Sequence, residues 1–332
     1  MTNKFRSISL GLTLLLTLFV SCSKPVKVSH IIVAAPFSAD SAYRYIDEQV
    51  SFGARVPGYV AHEECYHYLV EQLQRFGADV QTQQGTMINY AGELQTVVNI
   101  VAHLRPDSGE SAANVGSVRP VLLCAHWDCR PWADEEEEYS ARMSPVLGAN
   151  DAASGVGVLL EVARQWKINN YSVPLDIVLF DCEDMGTPDF YTGPQREDTW
   201  CLGSQLWAQS IGRRAKYKYG VLLDMVASPD AVFYREAYSD KYASDVVDDI
   251  WRTAAALGYG RFFKNERSYP ITDDHYYVNS IAHIPCVDVI HYDPHVGGGF
   301  PNYWHTDNDD MSNVSVTTLD AVGKTLVTFL LQ

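Results

Sequence analysis

Several carboxylate and imidazole side chains of this sequence have the types and the order expected of a metal centre. In chain order they are His126, Asp128, Asp151, Glu183, Asp184, Asp224 and His305. Zinc takes imidazole nitrogen and carboxylate oxygen as ligands at about 2.0–2.2 Å, and a catalytic zinc keeps one position open. Asp151, Asp184 and His305 match such a set, and we predict them as the ligands of a catalytic zinc.

Glu183 stands beside the predicted ligand Asp184 and suits a second task. A carboxylate bound to a metal cannot easily carry a proton, so we predict the neighbouring Glu183 as the acid–base group. Taken singly, ordinary structural roles stay open: Asp151 as a helix N-cap, or residues 183–184 as a solvated strand end. The common order of these residues favours a site over those roles.

Short apolar runs alternate with helical segments along the chain and must position these side chains. The apolar runs cover residues 97–104, 120–126, 175–180, 220–225 and 286–290. Segments of helical periodicity cover residues 40–51, 61–76, 152–167, 203–211, 241–257 and 315–331. Several runs are uniformly apolar, as in strands covered on both faces. The alternation predicts an α/β fold, a three-layer sandwich with a mostly parallel, mixed central sheet flanked by helices.

The candidate residues fall at one end of these predicted elements. His126, Glu183 and Asp224 follow apolar runs, and Asp151 precedes a helical segment. In open α/β sheets, ligands bind at the carboxyl ends of the strands. We therefore expect these side chains to meet at that edge of the sheet.

The N-terminus has the pattern of an export signal. Lys4 and Arg6 precede an apolar run over residues 8–20, which is shorter than the roughly 20 residues of a membrane span. We predict residues 1–21 as a signal peptide. Residues 18–22 resemble the lipobox of bacterial lipoproteins, which implies lipidation of Cys22; an ordinary signal peptide is the alternative.

These features give an expected organisation and location. Residues 22–39 would form a tether and residues 40–332 a single zinc-dependent catalytic domain, since no linker or low-complexity tract divides them. We expect an exported protein, periplasmic or anchored in the outer membrane, that touches a membrane only through its lipid.

Charge and cysteine content exclude two classes of site. The formal net charge of −16 argues against nucleic acid as a partner, because no basic face is available for it. Six cysteines follow Cys22 without paired CxxC clusters, so a cysteine zinc site is not expected. Their spacing assigns no disulfide.

The order of the candidate residues resembles that of the co-catalytic zinc aminopeptidases, from residues 53–58 to the C-terminal helix. In that family the equivalents of Asp151, Asp184 and His305 hold one zinc. The equivalents of His126, Asp151 and Asp224 surround a second zinc, and the equivalent of Glu183 is the general base.

Two features are more similar to the animal-type glutaminyl cyclases, a branch of the same fold. They are Asp273-Asp274-His275 and Trp304-His305-Thr306. The resemblance implies one zinc and conversion of N-terminal glutamine of peptides and proteins to pyroglutamate with release of ammonia. It also implies that Asp224 and Asp273 position a proton relay and that Trp304 walls a narrow pocket, which would hold the bent side chain for ring closure.

The sequence departs from those cyclases at several positions. Asp184 stands where the animal enzymes have glutamate, and Asp288 falls near where they place a histidine of the pocket network. Trp132 is a candidate for the pocket wall or for core packing. Within residues 187–200 the candidates to close the pocket are Phe190, Tyr191 and Trp200. The acidic run 134–138 is expected to be a solvated loop, with a calcium site as the alternative.

Three hypotheses follow. The first is a glutaminyl-peptide cyclotransferase with one zinc, an acyltransferase in which Glu183 moves the proton. The second is a di-zinc aminopeptidase that releases N-terminal residues and uses His126 as a ligand of the second metal. The third is a surface lipoprotein that keeps the fold without catalysis.

Overall fold

The computed structural model describes residues 32–106, 118–212 and 217–332. The predicted signal peptide, the lipobox and Cys22 lie outside these ranges. Residues 32–38 of the predicted tether precede the first helix without helical or strand structure. The division into tether and catalytic domain therefore stays a prediction.

A six-stranded sheet forms the centre of the fold. Its strands are β1 (Asp79–Ile88), β2 (Leu94–Leu104), β3 (Val121–His126), β4 (Leu175–Phe180), β5 (Gly220–Asp224) and β8 (Cys286–Ile290). They lie in the order β1-β2-β4-β3-β5-β8. The β1–β2 and β2–β4 pairs are antiparallel, while β4, β3, β5 and β8 run parallel. The predicted mixed, mostly parallel sheet is confirmed.

Helices cover both faces of the sheet. They are α1 (Ala39–Ser51), α2 (Val60–Arg75), α3 (Ala153–Asn169), α4 (Leu202–Ile211), α5 (Ala237–Ala256), α6 (Asp274–Ser280) and α7 (Val316–Leu330). Alternate residues of β3 enter different apolar clusters. Leu123 packs with residues of α1, α3, α5 and α7, and Leu122 packs with residues of α4 and α6. The three-layer sandwich follows from this uniformly apolar strand.

Three features of the structure were not predicted from the sequence. Strand β1, at the sheet edge, was missed because half-buried and exposed residues alternate along it without a strong apolar run. The short strands β6 (Phe233–Arg235) and β7 (Phe263–Arg267) pair in a second, two-stranded sheet. Helix α6 was also missed, since seven residues are too few for clear periodicity.

Two further findings bear on location and covalent chemistry. Among the helices of the described residues, we find none both long and apolar enough to cross a bilayer. The six cysteines that follow Cys22 are all buried as free thiols. Buried free cysteines pack largely as small apolar side chains, and the Cys201 thiol also donates a hydrogen bond to Glu183 Oε1.

Candidate active site

A cavity of about 370 Å³ opens at the carboxyl ends of the central strands. Side chains that line it include Asp151, Glu183, Asp184, Asp224, Asp273 and Trp304. These residues come from the ends of β4 and β5 and from the loops before α3, α6 and α7. The cavity therefore lies at the carboxyl ends of the strands, the edge of the sheet at which the sequence predicted a site.

The three predicted ligands converge on one point beside this cavity. Asp151, Asp184 and His305 each offer one ligand atom, and these atoms lie within 4.8 Å of one another. His305 Nε2 lies 3.1 Å from Asp184 Oδ1 and 3.6 Å from Asp151 Oδ2. Asp184 Oδ2 is buried without a hydrogen-bond partner, an arrangement that a bound cation would satisfy. One imidazole and two carboxylates fit zinc.

A second group of possible ligands shares Asp151 with the first. His126 Nε2 lies 2.9 Å from Asp151 Oδ1 and 3.4 Å from Asp224 Oδ1. Burial acts to lower the pKa of His126, but hydrogen bonds with Asp128, Asp151 and Asp224 outweigh it and raise the pKa well above its usual value. This is the group that a two-metal enzyme would need.

Asp151 is held in place by its backbone and by close packing, and it is not the N-cap of α3. The N-cap is Ala152, without a side-chain cap bond. Asp309, which the sequence analysis missed, accepts hydrogen bonds from the backbone N–H groups of Asn150 at 2.7 Å and Asp151 at 3.0 Å. A Cβ on Gly155 would collide with the carbonyl oxygen of Leu223. The start of α3 can therefore approach the end of β5.

Asp128 fixes the turn that carries Glu183 and Asp184. Its Oδ1 accepts from the backbone N–H of Glu183 at 3.1 Å, and its Oδ2 accepts from that of Asp184 at 3.2 Å. Its Oδ1 also lies 3.3 Å from His126 Nδ1. A single buried carboxylate thus ties the end of β3 to the end of β4.

Glu183 faces the cavity without belonging to the closest ligand group. Its Oε1 accepts a hydrogen bond from the Cys201 thiol at 2.9 Å. Burial, followed by the charge of Asp184, raises the pKa of Glu183 well above its usual range. A carboxyl group with a raised pKa can both accept and return a proton near neutral pH, as the predicted role requires.

The two predicted relay residues both line the cavity: Asp224 lies in the second ligand group with His126 and Asp151, and Asp273 lies near Glu183. Burial raises the pKa of Asp224 to about 6 and also raises that of Asp273. Asp273 is the N-cap of α6, and its Oδ2 has no hydrogen-bond partner. Ligand atoms of Asp273, Glu183 and Cys201 lie within 4.8 Å of one another.

The structure corrects the expected place of Asp288. This residue is fully buried and does not line the cavity. Its side chain lies behind Asp273, with Oδ2 at 3.5 Å from His275 Nδ1. Asp288 stands in the middle of β8, whose residues are all buried, so it can act on the cavity only through Asp273.

Two tryptophans flank the predicted metal ligand His305. The ring of Trp304 stacks on that of His305 with centroids 3.7 Å apart, and the ring of Trp200 lies parallel to it at 6.1 Å. Both tryptophans line the cavity. Of the three aromatic candidates between residues 187 and 200, Trp200 is therefore the one at the cavity.

Trp132 is corrected in the same way as Asp288. It does not line the cavity but packs edge-on against Tyr90 and Phe190. Tyr191 packs against the same Tyr90 ring. The alternative of aromatic packing is thus the one that the structure supports for Trp132.

The sequence analysis also missed a buried ion pair behind these aromatic rings. Arg130 contacts Asp134 through its Nε and Nη2 and donates to the carbonyl oxygens of Asp184 and Gly186. Its guanidinium lies 4.6 Å from the ring centre of Trp200. Asp134 is therefore buried, whereas Glu135, Glu137 and Glu138 are exposed in a loop, as expected for the run 134–138. The spacing of four residues between a basic and an acidic residue was the available signal.

Comparisons with known proteins agree with this geometry. The model of peptidase family M28 matches residues 99–330. The crystal structure of a glutaminyl cyclase from Tannerella forsythia is 45% identical, with a TM-score of 0.83 over 89% of this chain and 99% of that one. A Zn-dependent exopeptidase from Parabacteroides distasonis is 42% identical, with a TM-score of 0.83 over 90% and 99%. Glutaminyl-peptide cyclotransferase of Bos taurus is 23% identical over 305 residues, covering 84% of this chain and 78% of the bovine one.

Proposed function

The chain belongs to peptidase family M28, and from this membership and its similarity to glutaminyl cyclases we propose that it is a glutaminyl-peptide cyclotransferase. It converts the N-terminal glutamine of peptides and proteins to pyroglutamate. The observation that carries this proposal is the cavity itself, which Glu183 lines together with the ligands Asp151 and Asp184 and with Trp200 and Trp304.

The bonds that change define what the site must do. The α-amino nitrogen of glutamine forms a bond with its own γ-carbon, and the bond from that carbon to the amide nitrogen breaks. The nitrogen leaves as ammonia. No water is consumed, so the enzyme must fold the glutamine side chain back on the amine and move one proton between the two nitrogens.

The group of three ligands assists the carbonyl. Zinc held by Asp151, Asp184 and His305 would act as a Lewis acid toward the γ-carbonyl oxygen. Asp128 keeps Asp184 aimed at this point through the backbone, and Asp309 does the same for Asp151. The ligands are thus oriented by neighbours that do not themselves bind the metal, as is common in metal sites.

Glu183 moves the proton. It accepts the proton of the α-amine as the new bond forms and delivers it to the departing amide nitrogen. Asp224 and Asp273 hold the amine and the leaving nitrogen in reach. Both carboxyl groups line the cavity and have raised pKa values, so they can exchange hydrogen bonds with groups that gain and lose protons.

The tryptophans provide the proximity that ring closure needs. Trp304 and Trp200 line the cavity on either side of His305. A bent glutamine side chain between flat apolar walls has fewer conformations to lose on the way to the transition state. An aminopeptidase would instead need space for a metal-bound nucleophile.

The experiment is incubation of zinc-loaded protein with a peptide that begins with glutamine. We expect ammonia release matched by loss of the same mass from the peptide, and one zinc per chain. The matched control is the same peptide with N-terminal leucine, which should stay intact. Release of the leucine, with two tightly bound zinc ions, would instead support the di-zinc aminopeptidase, to which the group of His126, Asp151 and Asp224 is suited.

The N-terminal pattern supports a location. We propose export and lipidation at Cys22, with the catalytic domain held at a membrane of the cell envelope by that lipid alone. The support is the run of Lys4, Arg6 and the apolar residues 8–20. Fatty-acid labelling of the wild type and not of Cys22→Ser would agree with this proposal, and equal labelling would contradict it.

A further inference from the structure

Glu236, at the start of α5, does not line the cavity, yet it is one of the most heavily hydrogen-bonded carboxylates near it. Its Oε1 accepts from the backbone N–H of Tyr238 at 2.8 Å and of Ile271 at 3.0 Å. Its Oε2 accepts from the N–H and hydroxyl of Ser239 and lies 2.9 Å from His275 Nε2. The side chain is fully buried. A helix N-cap alone would need only one or two of these contacts.

These contacts join four segments that build one wall of the cavity. Ile271 lines the cavity directly, beside Asp273. Ser239 accepts a hydrogen bond from the backbone N–H of Asp288 at 2.9 Å, which fixes β8 against α5. His275 lies in the first turn of α6, directly after Asp273 and Asp274. Glu236 therefore contacts the segment of Ile271 and helix α6 directly, and it contacts β8 through Ser239.

His275 completes a continuous path from Glu236 to the cavity. Its Nε2 faces Glu236, and its Nδ1 faces Asp288 Oδ2 at 3.5 Å. Asp288 in turn lies against Asp273, with ligand atoms of Asp273, His275 and Asp288 within 4.8 Å of one another. Asp273 is the first residue of this path with access to the cavity.

We propose that Glu236 is a positioning residue that, through His275 and Asp288, holds the Asp273 carboxyl group at its place opposite Glu183. The inference rests on the proposed cyclotransferase function. Asp273 and Asp288 are two buried acidic groups in contact, and without an anchor their side chains could rotate apart. The imidazole lies against Asp288 at 3.5 Å and is oriented by Glu236, which four further donors hold in place.

The charge state of Glu236 is consistent with this anchor. Burial acts to raise its pKa, but the hydrogen bond from His275 and those from the backbone lower it to about 2. The carboxylate therefore stays charged, and a charged acceptor holds a ring N–H more firmly than a neutral one.

Glu236→Gln is the main test, because the side chain keeps its size and one carbonyl oxygen while it loses the charge. We expect kcat for a glutamine-initiated peptide to fall roughly tenfold to a hundredfold, the cost of a misplaced reacting group. Zinc content should stay at one per chain. The matched control is Glu161→Gln, which alters another fully buried glutamate that bonds Ser38 and Gln165 away from the cavity; its kcat should be that of the wild type.

The same substitution in the Asp273→Asn background separates positioning from a general loss of structure. If Glu236 acts through Asp273, Glu236→Gln should lower kcat of Asp273→Asn by less than about twofold, because coupled residues are not additive. Equal losses in both backgrounds, or wild-type kcat in Glu236→Gln, would overturn the proposal. His275→Gln should give the same two results and serves if Glu236→Gln does not fold. An inactive wild type would count against the proposed function instead.

Discussion

The two sides of the cavity hold their buried carboxyl groups in opposite ways. On the side of the predicted metal, imidazoles stand against the acids: His305 faces Asp184, and His126 faces Asp151. On the side of Asp273, three buried acids lie around the single imidazole of His275. They are Asp273, Asp274 and Asp288. Oxygens of Asp273, Asp274 and Asp288 are buried without hydrogen-bond partners.

The pKa values of Asp184 and Asp288 are shifted in opposite directions, although Asp151 on the metal side has its pKa raised to about 6 by burial and by the charges of Asp184 and Asp224. Burial acts to raise the pKa of Asp184, but the charge of His305 outweighs it and lowers the pKa to about 2. Burial raises the pKa of Asp288 well above its usual range, and the charge of Asp273 raises it further. The same residue type is therefore favoured as a carboxylate at Asp184 and as a neutral acid at Asp288. Metal binding suits the first, and a relay suits the second.

Replacing one acid by its amide on each side gives the largest expected contrast. Asp184→Asn removes a charged ligand, so zinc and turnover of the glutamine peptide should both be lost. Asp288→Asn keeps the shape of a side chain whose charged form is disfavoured by burial and by the charge of Asp273, so zinc should stay and the melting temperature should change little. Metal analysis and thermal unfolding of both variants measure this. Loss of zinc from Asp288→Asn would break the distinction between the two sides.

Glu183 lies between the two sides and tests which of them it serves. If it moves the proton, Glu183→Gln should lower kcat by roughly 10²–10⁴-fold while zinc stays bound. Zinc content and kcat are measured on the same preparation. If zinc is lost with activity, Glu183 belongs to the metal side as a ligand, and a variant with normal kcat would remove it from the mechanism.

The sequence predicted the metal side far better than the facing side. Strands β3 and β4 are buried throughout and mostly apolar; β3 ends at His126 and Glu183-Asp184 follow β4, so pattern and chemistry coincide there. Edge strand β1 alternates polar and half-buried residues and gives no such signal. Site residues that directly follow a buried apolar strand can therefore be predicted from the sequence.

The residues that the sequence could not assign act through distant partners. Asp309 bonds the backbone of Asn150, 159 residues away along the chain. Glu236 reaches Ile271 and His275, and its type is ordinary for the start of a helix. Asp288 was expected in the pocket because it falls near where the animal cyclases place a histidine, but its side chain lies behind Asp273 and does not line the cavity. Only the fold shows which carboxyl group has access to the cavity.

Cys201 offers a smaller test of how Glu183 is held between the two sides. Burial, and next the charge of Glu183, raises the pKa of the Cys201 thiol well above its usual value, so it stays protonated and donates to Glu183 Oε1. One hydrogen bond contributes about 1 kcal/mol, so Cys201→Ala should lower kcat by roughly fivefold. Cys201→Ser keeps a donor and should restore most of it. Cys65→Ala, a buried thiol remote from the cavity, is the control. Equal kcat in the alanine and serine variants would contradict the contact.

Two buried histidines, His126 and His291, have pKa values shifted in opposite directions, and the shift of His291 makes a prediction about stability. Carboxylates around His126 raise its pKa, whereas burial lowers the pKa of His291, after β8, to about 4 because Asp230 and Asp293 compensate too little. The unfolded chain takes up a proton at this position below pH 6.5, the usual value, but the folded chain does so only near pH 4. Stability from His291 is therefore present above pH 6.5 and is lost as the pH falls toward 4. Between pH 7 and pH 5.5 this amounts to about 1 kcal/mol.

Urea unfolding of zinc-loaded wild type and His291→Gln at both pH values measures this term. Other groups titrate equally in the two proteins, so the difference between their pH dependences isolates His291. We expect the free energy of unfolding to fall by about 1 kcal/mol more in the wild type than in the variant. Identical slopes would mean that the pKa of His291 is the same in the folded and the unfolded chain. The contrast between a lowered pKa of His291 and a raised pKa of His126 would then be wrong.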